Sequence, residues 1–168
     1  MTTIRAAVEA AVAYLTEHPD EARYTDNEAV ARVESGLRIV ATAADGSSVA
    51  TDMSRGIGGT ASAPSPGWLL RAAEATCVAT FIVLRAAQLG RDIDGVEVAV
   101  DSESDDRGLL DIDRSIPAGP LSVAIRVSGN VVGGTADEFD AIATWAVDHC
   151  PVVDALRRSV PVAVQVIA

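Results

Sequence analysis

Apolar positions along the chain follow two different periods, and the change from one to the other falls at glycines and prolines. Ile4, Val8, Ala11, Val12 and Leu15 recur at helical steps, predicting an amphipathic surface helix that ends at His18-Pro19-Asp20. Glu28 to Val33, Leu37 to Ala43 and Ser48 to Met53 read as strands, the last two joined across Asp45-Gly46, and together predict an antiparallel meander. Arg55 to Pro66, RGIGGTASAPSP, keeps no period and reads as a loop.

Ser65 to Leu89 then runs for about six turns without a breaker, with Pro66 at a first helical position and Gly90 at its end. Arg71, Glu74, Val78, Arg85 and Gln88 share one broad stripe, and Leu69, Leu70, Ala72, Ala73, Thr76, Ala79, Thr80, Val83 and Leu84 cover most of the remainder. So apolar a helix is expected to be mostly buried. Cys77 falls near its middle, at the edge of the polar stripe and one turn after Glu74.

Beyond the turn Gly90–Gly95, Val96, Val98 and Val100 alternate with Glu97, Ala99 and Asp101 as a strand. Asp101–Gly108, DSESDDRG, lacks the ligand spacing of a calcium loop and reads as a solvated loop or strand end. Leu109–Ile112 is a short strand candidate, and Leu121, Val123, Ile125 and Val127 alternate in a clear one. Thr135 and Glu138 form a capping box before Phe139, Ile142 and Trp145, opening a helix that should end near Asp148 or His149. Cys150-Pro151 starts a short segment, Val152 to Arg158, and Pro161 to Ala168 reads as a final apolar strand. Strands do not alternate with helices, so the pattern predicts one α+β domain over residues 1–168 with mostly antiparallel sheet around a long central helix.

Composition narrows the function. The charge of −11 argues against sequence-independent nucleic-acid binding, and all thirteen basic residues are Arg, which excludes lysine Schiff-base chemistry. The N-terminal stretch is interrupted by Glu9 and has only Arg5 as a nearby cation, unlike a signal sequence, and no apolar run is long enough to span a membrane without interruption. A cytoplasmic protein is expected. His18, His149, Cys77 and Cys150 lack zinc-ligand spacing, Gly58-Gly59 lacks the features of a phosphate loop, and no nucleophile elbow occurs.

What remains is the thiols. Cys77 and Cys150 are either inert core residues or a redox pair. A reactive thiolate needs a cation, a helix N-terminus or hydrogen-bond donors. Cys150, followed by Pro151, stands where a helical segment starts and can face free backbone N–H groups. Cys77 gets no such help from its own helix, and Glu74 facing it would raise its pKa unless an Arg intervenes.

Ser65-Pro66-Gly67-Trp68-Leu69-Leu70, then Cys77, then His149-Cys150-Pro151-Val152, resembles the OsmC/Ohr family of thiol-dependent hydroperoxide reductases. The resemblance runs from about Arg32 to Ala168, with the helix in residues 1–19 as an addition. It implies an intertwined homodimer with the active site at the subunit interface, organic hydroperoxides as substrates, an external dithiol as reductant and no cofactor or metal. By position, Cys77 matches the peroxidatic cysteine and Cys150 the resolving one. Arg38 is the best match to the Arg that stabilises the thiolate, with Arg32 and Arg55 as weaker ones. The organic-hydroperoxide branch orients that Arg with a Glu where this chain has Gly67. Glu74 could substitute, or could instead form a surface pair with Arg71. The implied function is an oxidative-stress peroxidase; the alternative is a catalytically weak relative that binds an apolar small molecule at the dimer interface.

Overall fold

The computed structural model describes residues 2–167, and its contacts divide them into two compact units, one of Ala10–Ala72 and one of Ala73 onward together with the residues up to Glu9. Helix α1 spans Thr2–Glu17. In the first unit, β1 (Ala29–Ser35), β2 (Arg38–Ala43) and β3 (Ser48–Thr51) form an antiparallel meander in the order β1-β2-β3. The β1–β2 register jumps by one residue: Val33 pairs with Ile39 but Ser35 pairs with Arg38, so Glu34 and Ser35 both oppose Arg38. This is a β-bulge at Glu34, followed by a turn in which Gly36 takes φ +55°, a conformation that costs a side-chain-bearing residue.

The loop after β3 is organised by one carboxylate. Asp52, 2% exposed, accepts from the backbone N–H groups of Met53, Thr60 and Ser62 and from the hydroxyls of Thr60 and Ser62. These bonds, the Thr60 hydroxyl foremost, hold its carboxyl far below the usual carboxylate range. Gly59 is needed for the fold-back, because a Cβ there would stand 1.9 Å from the Met53 carbonyl oxygen.

Helix α2 (Pro66–Gln88) opens with the Ser65 hydroxyl accepting from the Trp68 N–H at 3.2 Å. It closes in a Schellman cap: Gly90 takes φ +68° and its N–H reaches Ala87, while the Arg91 N–H reaches Ala86. The expectation of a mostly buried helix is overturned, since only Glu74, Val78, Ile82, Ala86 and Ala87 of its 23 residues are buried. The buried line 74-78-82-86 also runs through the stripe read as polar. Apolar residues surround most of this helix, so polarity could not mark its core face. By length and composition α2 is apolar enough to cross a membrane. Its buried Glu74, and Val78 and Ile82 packed in a protein core, are features of a core helix.

In the second unit, β4 (Ile93–Glu103) pairs antiparallel with β5 (Ser122–Val131). Helix α4 (Ala136–His149) starts in the expected capping box, with both reciprocal bonds between Thr135 and Glu138 present, and ends at His149. Val78, Ile82 and Ala86 of α2 pack with Val131 of β5, Phe139, Ile142, Ala143 and Ala146 of α4, and Cys150 and Val153. Fully burying Ile82 contributes about 1.5–3 kcal/mol. Helix α5 (Pro151–Arg157) follows directly.

Two strand expectations fail. Residues 109–112 are not a strand: Asp105 caps a one-turn helix, α3 (Asp106–Leu109), by accepting from the Arg107 N–H. Residues 161–167 form no ladder with this chain, and Ala168 lies outside the described residues. Their alternation is strand-like, but Val162, Val164 and Val166 are 84–87% exposed. A strand needs a partner, and among the described residues this segment has none.

Candidate active site

The cysteines, 73 positions apart in the chain, come together. The α4–α5 junction turns at Cys150, which ends one helix and opens the next, with Pro151 fixing the first residue of α5. Cys150 is fully buried and Cys77 partly buried. Cys77 packs against the buried cluster that includes Cys150, and its thiol is influenced by the Cys150 side chain and the Val152 backbone. The helix-start contact expected for Cys150 is thus made to Cys77 instead, and the Cys150 side chain makes no capping bond.

Burial, first, and then Cys150 push the Cys77 thiol above its ordinary value, while the Val152 backbone draws it down. Burial wins. The need for an added cation, read from the sequence, therefore stands in the folded chain.

Glu74, one turn before Cys77, is 1% exposed, so it is no surface residue. It lines a cavity of about 430 Å3 whose other walls include Leu121, Val123, Val153, Leu156 and Arg157. Val153 places this cavity beside the cysteine-bearing turn, and neither it nor a larger hollow of about 660 Å3 along α4 and β5 is lined by a cysteine.

Arg38 belongs to the β1–β2 hairpin of the first unit. Its Nε donates to Glu34 Oε2 in an ion pair, and its Nη1 donates to Ser62 Oγ at 3.1 Å. Ser62 Oγ in turn donates to Asp52 Oδ2 at 2.9 Å. A Cβ at Gly67 would meet nothing closer than 3.8 Å, so no close contact requires glycine there.

Sequence reasoning missed two features. Asp52 was signalled only by a Thr- and Ser-rich loop downstream. The second is a stack beside the cysteines: the Arg85 guanidinium carbon lies 4.7 Å from the Trp145 ring centre, and His149 stacks on Trp145 with ring centres 4.0 Å apart. His149 Nδ1 also donates to the Trp145 carbonyl at 2.8 Å. The signal was the four-residue spacing of Trp145 and His149 on one helix. Among the described residues, no three His, Cys, Asp or Glu are grouped as metal ligands.

Two free cysteines, one buried and the other packed against the same cluster, on an α+β scaffold are the groups that dithiol redox proteins use. The chain belongs to the OsmC-like protein family, whose family model matches residues 59–165. Solved structures agree on the fold. An OsmC-like protein from Mycoplasma pneumoniae superposes with a TM-score of 0.68 at 13% identity, over 82% of this chain and 91% of that one. An organic hydroperoxide resistance protein OsmC from Legionella pneumophila gives 0.60 at 20% identity, over 80% and 91%. The organic hydroperoxide resistance protein OhrB of Bacillus subtilis gives 0.52 at 18% identity, over 80% and 93%. No curated protein matches the sequence.

Proposed function

We propose that the protein is a cysteine-based peroxidase that reduces organic or lipid hydroperoxides in the cytoplasm as part of oxidative-stress defence. The Cys77 thiolate attacks the O–O bond; the leaving alkoxide takes a proton to become the alcohol, and Cys77 becomes a sulfenic acid. The Cys150 thiol displaces its hydroxyl as water and forms the Cys77–Cys150 disulfide. An external dithiol is oxidised in restoring both thiols. Arg38 supplies the cation, and no metal or cofactor takes part.

The observation that carries this reading is the meeting of Cys77 with Cys150 and the Val152 backbone at one turn. The cavity lined by Glu74, with its largely apolar walls, suits an organic peroxide better than hydrogen peroxide. A homodimer is supported by the sparse burial of α2 and by the exposed Val162, Val164, Val166 and Ile167, surfaces that a second copy would cover. Neither nucleic acid nor membrane is a partner.

Reduced wild-type protein should consume cumene hydroperoxide, and Cys77→Ser should abolish that consumption. Cys150→Ser should react once and stop at the sulfenic acid. Unchanged consumption by the Cys77→Ser variant rules the assignment out.

A second reading is favoured by the raised Cys77 thiol and by Gly67, which supplies no carboxylate for Arg38. In it the protein is a weak catalyst that binds an apolar small molecule at the dimer interface. Negligible turnover with several dithiols, together with a thiol pKa at or above about 8.5, would select it.

A further inference from the structure

Glu74 is a buried carboxyl that the peroxidase cycle leaves unused. It is 1% exposed and lies on α2 three residues before Cys77, a spacing that sets two side chains on one helix face with their Cβ atoms about 5–6 Å apart. It also lines the cavity of about 430 Å3, whose walls at Leu121, Val123, Val153 and Leu156 are apolar. Val153 stands three residues after Cys150, in the first turn of α5. The cavity is therefore walled, on α2 and on α5 alike, by the residue one helical turn from a cysteine. Arg157 at its edge donates to Asp148 at 2.9 Å, and among the described residues that line the cavity Glu74 brings the only carboxyl. All of these groups belong to the one compact unit of Ala73 onward.

Reduction of an alkyl hydroperoxide needs a proton at one moment. As sulfur bonds to the outer peroxide oxygen, the O–O bond breaks and an alkoxide leaves, a strong base whose protonation in the transition state lowers the barrier. Burial pushes the Cys77 thiol up, so the proton to be moved starts on sulfur. We infer that Glu74 is the general acid of this step, handing a proton to the leaving oxygen of a hydroperoxide whose apolar body fills the cavity; this rests on the peroxidase reading and not on the choice of cation. Cys77 gives its proton to the Glu74 carboxylate, and the thiolate takes the outer OH of the peroxide to become the sulfenic acid. The Glu74 carboxyl then passes its proton to the alkoxide, which leaves as the alcohol. Sulfur loses two electrons, the O–O bond gains them, and Glu74 ends as the carboxylate it began as.

The leaving group separates a proton donor from a residue that only packs. Cumene hydroperoxide expels an alkoxide, which needs the proton. Perbenzoic acid has a similar apolar body but expels a carboxylate, which does not. The thiol can also lose its proton to solvent, so removing the carboxyl leaves the perbenzoic acid reaction running. The test follows consumption of each peroxide by the reduced protein in stopped flow, for wild type and for Glu74→Gln, which keeps the size and hydrogen bonding of the side chain. E74Q should lose about a hundredfold in rate with cumene hydroperoxide and change little with perbenzoic acid. Both rates are read on one preparation, so their ratio is unaffected by any loss of folded protein. Glu74→Asp, which keeps the acid on a shorter stem, should give a ratio between those of wild type and E74Q, and it carries the test if E74Q does not fold. A variant that slows both peroxides equally, or neither, overturns the inference about Glu74. A wild type that consumes neither peroxide, or a Cys77→Ser variant as fast as the wild type, sinks the peroxidase reading instead.

Discussion

Changing Val162, Val164 and Val166 together to Thr probes the unpaired tail with little disturbance of its shape. Threonine is close to valine in size and keeps its β-branched stiffness, so strand propensity is retained while the apolar surface is not. In a single chain these side chains are 84–87% exposed, and the change should move the stability of the chain itself by no more than about 0.5 kcal/mol. In a dimer that covers them, each valine contributes about 1.5 kcal/mol, or about 4–5 kcal/mol for the three. At 1.4 kcal/mol per factor of ten, this weakens association by up to about a thousandfold, less whatever the ordering of the tail already costs. Sedimentation equilibrium over a concentration series would measure it. The reasoning predicts a wild-type dimer and a variant that dissociates in the micromolar range. A variant that dimerises as tightly as the wild type would refute it, as would a wild type that is monomeric throughout.

Other outcomes follow from the interior. Ile82→Ala, at a fully buried site between α2 and α4, should cost about 2–5 kcal/mol in denaturant unfolding, and a loss below 1 kcal/mol would contradict its place in the core. Thr135→Ala removes half of a capping box and should cost about 1 kcal/mol. Asp52→Asn should lower the melting temperature at neutral pH. A carboxyl held below its unfolded value stabilises above the ordinary range near about 3.9, and that contribution fades as the pH falls from there toward the folded value. The gap between wild type and D52N should therefore be full at pH 7 and shrink in strong acid; a gap that grows on acidification would contradict the network around Asp52.

Much of this could be read from residues in order, where the determining interaction is local. The Thr135–Glu138 box, the Gly90 cap and the alternation of β4 and β5 each depend on neighbours a few positions away or on a simple period, and each appears where expected. The pairing of Cys77 with Cys150 came from resemblance, since two residues 73 positions apart carry no local signal. Where apolar residues ran almost all round α2, no moment identified the face that packs, so Glu74 went to the wrong side. The tail shows the opposite failure: its alternation is sound, but a strand is made by its partner, and residues 161–167 find none in their own chain. The bulge at Glu34 was invisible for a related reason, because register is a property of two strands and not of either alone.

The central claim, that Cys77 and Cys150 form a working peroxidatic pair, is tested most directly by intact-mass and peptide analysis after one equivalent of cumene hydroperoxide is added to the reduced protein. The expected result is the loss of two hydrogens per chain, a Cys77–Cys150 cross-linked peptide and one equivalent of the alcohol. Two free thiols and unconsumed peroxide would contradict it.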